Sequence, residues 1–177
     1  MKPASNARDI QRLSLHDFTS SPGLGGSMEQ QFRQLIDEFC DLTGLDEPDA
    51  IKEGKSFNVD NVECAVIYHD HITPEAIYCY IDFGLPPANQ LNEVYNELLK
   101  ANYLQFASIK ATFSLSPHTG HVVLVTVIEL IKATAKMLID QFSHHAQQAL
   151  AWRDHFSLFD PPPSEASLQY NDRNPFS

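Results

Sequence analysis

Apolar and polar residues follow two rhythms along this chain. In 63–84 and 111–130, runs rich in β-branched and aromatic residues are interrupted by turn residues, the pattern of β-hairpins. In the first run Cys64, Val66 and Tyr68 point one way, and Ala65, Ile67 and His69 the other. Its return strand puts Ile77, Cys79, Ile81 and Phe83 on one side, with Tyr78, Tyr80 and Asp82 opposite. In the second run Ala111, Phe113 and Leu115 alternate with Thr112 and Ser114. The strand that follows is apolar on both faces, through Val122, Leu124 and Ile128 and through Val123, Val125 and Val127. An antiparallel sheet tolerates one wet face, so the apolar second face needs a cover: a helix, another subunit or a bound polypeptide.

Three stretches carry the helical rhythm. Phe32, Leu35, Ile36, Phe39 and Leu42 trace one face of a first helix. It is expected to start near Ser27, where Ser27 and Gln30 have capping-box spacing, and to stop at Gly44. Residues 44–61 read as loop, with a short strand near 56–59. A second helix over 90–104 uses Leu91, Val94, Tyr95, Leu98 and Leu99 as its inner face, with Asn102 at the end of that face and Asn89 as cap. A third, over about 133–156, buries Ala135, Leu138, Phe142, Ala146, Ala149 and Trp152 or Arg153 and leaves Gln141, His144 and His145 mainly outside. Pro74, Pro86 and Pro117 fall in connections, because proline cannot donate to a ladder.

The resulting order is helix, two or three strands, helix, two strands, helix. That predicts an α+β fold, an antiparallel sheet with packed helices. At 177 residues the chain suits one such domain, 28–158. It is flanked by a flexible extension over 1–27 and a Pro-rich tail over 159–177. Within the extension Ile10, Leu13, Leu15 and Phe18 are candidates for a short docking segment.

Charge narrows the partners. With 23 acidic against 12 basic residues the formal charge is −11, which repels a phosphate backbone and argues against nucleic acid. The apolar run 122–130 is too short to span a bilayer. Three cysteines with no secretory pattern point to a reducing compartment, and the cytoplasm is expected.

Candidate chemistry is sparse. His69 and His71 flank Asp70 near Glu75, and would join His118 and His121 in a metal site only if both turns lay at one end of the sheet; solvated turn residues are the alternative. His144 and His145 are adjacent on a helix and suit a surface. Cys64 and Cys79 sit in apolar patterns that suit a core rather than an activated nucleophile. Glu129 is expected at the sheet edge. No nucleotide, hydrolase or metalloprotease motif occurs, so no catalytic residue, metal or cofactor is expected. Among the aromatic residues Tyr78, Tyr80, Phe83, Tyr95, Tyr103 and Phe106, most belong in a core. For Tyr78 and Tyr80, core and protein interface are evenly matched.

At this point the chain resembles the type III secretion chaperones of the Tir chaperone (CesT-like) family. The likeness runs from FRQLIDEFCDLTGL at 32–45 through YCYIDFGLPP at 78–87 and LNEVYNELLKANYL at 91–104 to 111–130 and the last helix. Leu98, Leu99, Ala101, Asn102 and Leu104 match the family phrase that ends the second helix, and Pro117 and Gly120 match the turn that follows. The resemblance implies a non-enzymatic cytoplasmic homodimer. It would bind the N-terminal region of a secreted effector as an extended chain, sometimes adding a strand to the sheet, and deliver it to the secretion machinery. It implies dimer contacts from Leu91, Val94, Tyr95 and Leu98, backed by Val123 and Val125. The first helix and first hairpin then offer Phe32, Ile36, Ile67, Tyr78 and Tyr80 to the client. The alternative is a dimeric regulatory or scaffold domain that binds a folded partner.

Overall fold

The computed structural model of the chain describes residues 25–105 and 111–158. In order, these form α1 (Gly25–Thr43), α2 (Pro48–Lys52), β1 (Phe57–Val59), β2 (Val62–Tyr68), β3 (Ala76–Gly84), α3 (Leu91–Gln105), β4 (Ala111–Leu115) and β5 (Val122–Glu129). A 3-10 turn (Leu130–Lys132) then leads into α4 (Ala135–His155). The five strands make one antiparallel sheet in the order β1-β2-β3-β5-β4. The α+β fold expected from the sequence is the fold observed.

Strand period decides the layers. Cys64, Val66, Ile77, Cys79, Ile81, Phe83, Val122, Leu124, Ala111 and Phe113 share one face and are all buried with the apolar stripes of α1 and α4. The α4 stripe is the one its spacing predicts, with Trp152 rather than Arg153 inside. Phe39 of α1, Phe57 of β1 and Phe142 of α4 meet as an aromatic trio, with ring centroids 5.1–6.0 Å apart. Thr126 is buried on the same face, and its hydroxyl accepts a hydrogen bond from Gln141. Gln141 is therefore half-buried rather than outside, because a buried hydroxyl needs a partner.

Helix ends follow their chemistry. α1 begins at Gly25, two residues before the expected start at Ser27, so Gly25 and Gly26 belong to its first turn. At its other end Gly44 takes φ +70° and its N–H reaches the Cys40 carbonyl, the glycine stop that the sequence predicts. Leu42 lies off the buried stripe and is exposed, its place taken by Cys40. α3 starts at Leu91, and the Val94 N–H bonds the Gln90 carbonyl, one position past the expected Asn89 cap. The Thr134 hydroxyl caps α4 by accepting from the Met137 N–H at 3.2 Å.

The loop expected over 44–61 holds more structure than predicted. α2 starts at Pro48, and its Lys52 ammonium bridges Asp37 of α1 at 2.6 Å and Asp49 at 3.1 Å. Asp60 and Asn61, at φ 50° and 64°, then form a two-residue turn that folds β1 back on β2. Left-handed conformations at both turn residues match the twist of a hairpin. The docking segment expected at Ile10–Phe18, the tail over 159–177 and Phe106 lie outside the described residues.

Candidate protein-binding surfaces

The sheet's second face is built in cross-strand rows. Ile67 pairs with Tyr78 and Tyr78 with Val127; Ala65 pairs with Tyr80, Tyr80 with Val125 and Val125 with Thr112; Asp82 pairs with Val123 and Val123 with Ser114. Ala65 and Ile67 are buried under the two tyrosine rings, and this small apolar cluster consists of sheet residues alone. The tyrosines and the three valines are half-buried. Among the described residues no helix packs across these rows. The apolar second face of β5 thus exists as the sequence predicts and carries no cover from the elements described.

Tyr78 and Tyr80 were expected to meet a client, Val123 and Val125 a second copy. The register places Tyr80 directly opposite Val125, so these residues form one continuous surface. The Thr73 hydroxyl donates to the Tyr78 hydroxyl at 3.0 Å and anchors its ring. Burial, with Tyr78 alongside, pushes the Tyr80 phenol above its ordinary value, so it stays neutral and compatible with an apolar contact.

The other expected contact residues sit deeper. Phe32 and Ile36 are 3% and 0% exposed, under the helix-covered face, with Phe32 stacked on Tyr68 at 4.9 Å. Ile67 is 2% exposed. Val94 and Leu98 also face inward, packed with Ala101 in the chain's own core, while Leu91 and Tyr95 are half-buried on the flank. Phe32, Ile36, Val94 and Leu98 therefore lie in the chain's own hydrophobic core and Ile67 in the small cluster under the tyrosines, where a side chain has little surface to offer. The outer side of α3 is made by Leu99 (69% exposed), Tyr103 (84%) and Leu104 (61%), which line a shallow hollow of about 390 Å³ with Lys100. Leu99 was expected on the inner face. Its exposure follows from the 3.6-residue period, since Leu98 and Leu99 differ by about 100° around the axis.

A second depression lies beside β1. Phe39, Leu45, Val59, Ile139 and Phe142 give it an apolar floor, with Thr43, Asn58, Asp60 and Ser143 at the rim, in a volume of about 250 Å³. β1 is an edge of the sheet, so a strand's backbone and an apolar hollow are adjacent here. No sequence pattern flagged this place, because its lining comes from three distant segments.

The candidate chemistry resolves into structure. Ala76 lies opposite Glu129 and Gly84 opposite Val122, which puts the turn with His69 and His71 at one end of the sheet and the turn with His118 and His121 at the other. Eight strand residues separate them, about 26 Å. A joint metal site is therefore ruled out by register. His71 instead contacts Asp70 at 3.3 Å, and His121 Nδ1 lies 2.7 Å from Asp82 Oδ2. Cys64 and Cys79 are buried, and desolvation pushes both thiols up to about 12, the reverse of nucleophile activation. Glu129 ends β5, an interior strand, and its carboxylate pairs with Lys132 at 2.5 Å. No group of three or more metal-ligating side chains occurs, and no helix is long and apolar enough to cross a membrane, among the described residues.

One helix-covered face, one apolar face without cover among the described residues and two apolar depressions are the candidate surfaces of this domain. Residues 34–153 match the model of the Tir chaperone protein (CesT) family, and the chain belongs to that family. It is thus a chaperone of the type III secretion class and not an enzyme. Its fold is similar to a chain of the ExsC–ExsE complex, with TM-score 0.58 and 16% identity, over 75% of this chain and 98% of that one. It is also similar to a chain of the HopA1–SchA chaperone–effector complex, with TM-score 0.55 and 11% identity, over 72% and 97% of the two chains. At these identities the likeness is one of fold. No curated protein matches the sequence.

Proposed function

We propose that this chaperone works in the cytoplasm as a homodimer that binds the N-terminal region of a type III secreted effector in extended form. Binding keeps that segment from aggregating and presents it to the secretion machinery. The observation that carries the reading is the open apolar surface of Tyr78, Tyr80, Val123, Val125 and Val127. Contiguous apolar surface of this kind marks a binding site, and tyrosine is favoured where one end of a ring is buried and the other wet. Extended polypeptide suits it, because strand-like segments present alternate side chains to neighbouring pockets. The hollow beside β1 extends that logic, since an edge strand supplies backbone hydrogen bonds next to an apolar floor.

For the dimer, the exposed side of α3 is the better candidate, Leu99, Tyr103 and Leu104, flanked by Leu91 and Tyr95, which leaves Val123 and Val125 to the open sheet face. Native mass spectrometry of the complex purified from its own cells tests the reading. Two copies of this chain with one exported protein, protease-sensitive once released, is the expected result. A partner that stays folded and protease-resistant after release would overturn it in favour of a scaffold domain.

A further inference from the structure

The two edges of the sheet are not equivalent. β4 is an edge strand, and Phe113 pairs with Leu124 of β5 on its inner side. Both backbone polar groups of Phe113 are taken by one side chain of α3. Its N–H donates to Asn102 Oδ1 at 2.7 Å, and its carbonyl accepts from Asn102 Nδ2 at 3.0 Å. A primary carboxamide offers one acceptor and one donor in a fork, the same pair a neighbouring strand would present. A further strand would lie about 4.8 Å from β4. That lane is filled by α3, held there by the buried Val94, Leu98 and Ala101.

We propose that Asn102 closes the β4 edge. Its carboxamide stands in for the peptide group of a neighbouring strand, so neither an extended partner segment nor β4 of a second copy pairs with this edge at Phe113. Strand addition is thereby restricted to β1. The matched residue Asn102 acquires a physical role: a leucine or alanine there would leave Phe113 with two unpaired backbone groups at the sheet edge beneath α3, which destabilises that packing and favours pairing with another chain. The restriction to β1 rests on the reading that partners meet this sheet as extended chain; the closure of β4 does not.

The test needs no client, so its failure and that of the client-binding reading are separable. In the isotope-labelled full-length wild type, NMR should detect scalar coupling across the hydrogen bond from the Phe113 amide nitrogen to the Asn102 side-chain carbonyl carbon. Asn102→Ala should speed exchange of the Phe113 amide proton tenfold or more, with Leu124 unchanged. Its sedimentation profile should acquire larger species, cross-linkable from β4 to β4. Asn102→Asp keeps the acceptor and loses the donor, so the Phe113 amide should remain protected. A wild type without the coupling overturns the proposal, as does a folded Asn102→Ala protein with unchanged exchange or unchanged size distribution. If the alanine variant does not fold, the coupling and the aspartate variant decide it.

Discussion

Replacing Phe142 by alanine removes the ring that α4 contributes to the trio with Phe39 and Phe57. Phe142 is 1% exposed, and its centroid lies 6.0 Å from that of Phe39 and 5.1 Å, edge-to-face, from that of Phe57. Truncating a buried phenylalanine costs about 3–5 kcal/mol, through lost transfer free energy plus the cavity left behind. Collapse is restricted here because three separate elements hold the walls, which places the expected loss near about 4 kcal/mol. For a urea slope of about 2 kcal/mol/M the midpoint should fall by about 2 M at unchanged slope. Against a total stability of about 5–15 kcal/mol the variant remains folded enough to measure at low temperature. Urea unfolding followed by Trp152 fluorescence and far-UV circular dichroism reads the shift. A midpoint change under about 0.5 M with the slope intact, about 1 kcal/mol, would refute the argument that the trio is a rigid junction of α1, α4 and β1.

Further outcomes follow from the same geometry. Tyr103→Asp should leave unfolding within about 0.5 kcal/mol of wild type, because the ring is exposed, yet shift sedimentation towards monomer. Leu98→Asp should instead unfold the chain by burying a charge. Gly84→Ala should lower the melting temperature by several degrees, for a cost of about 1–3 kcal/mol. Gly84 holds φ +100° at the β3 bulge, where an added Cβ would lie 3.3 Å from Arg153 Nε, and that guanidinium donates to the Phe83 and Asp82 carbonyls. For the buried thiols, the folded state keeps protons on Cys64 and Cys79 up to about 12 whereas an ordinary thiol releases its own near 9.0. Stability should therefore be insensitive to these groups below pH 9 and decline as pH rises from 9 towards 12, as pH-dependent urea midpoints will read. Tyr80→Arg should weaken capture of an extended partner in pull-down while circular dichroism stays unchanged.

How far the open sheet face was legible in the sequence differs residue by residue. The placement of Tyr78, Tyr80, Val123 and Val125 on a second face follows from strand alternation, because an apolar or aromatic residue there breaks the pattern of a half-wet sheet. Phe32, Ile36, Val94 and Leu98 also belong to apolar stripes, but a stripe does not say whether its cover is the same chain or another. The hollow beside β1 had no signature, since Phe39, Val59 and Ile139 come from three elements. The Asn102 bonds to Phe113 were hidden as well: the asparagine stood out in a family phrase, yet nothing local tells where its carboxamide reaches.

What the sequence by itself determined is local. A period of two sorts each strand's residues onto two faces, a period of 3.6 selects the α4 stripe from Ala135 to Trp152, and Gly44 stops α1 because a residue without a Cβ takes φ +70° at little cost. The tertiary structure decided which strands are neighbours. Inserting β5 between β3 and β4 sets Tyr80 against Val125, sends the two histidine-bearing turns to opposite ends, and makes β1 and β4 the edges. Those outcomes come from pairing between segments tens of residues apart, whose free energy depends on the whole packed sheet and leaves no mark in the rhythm of any one segment.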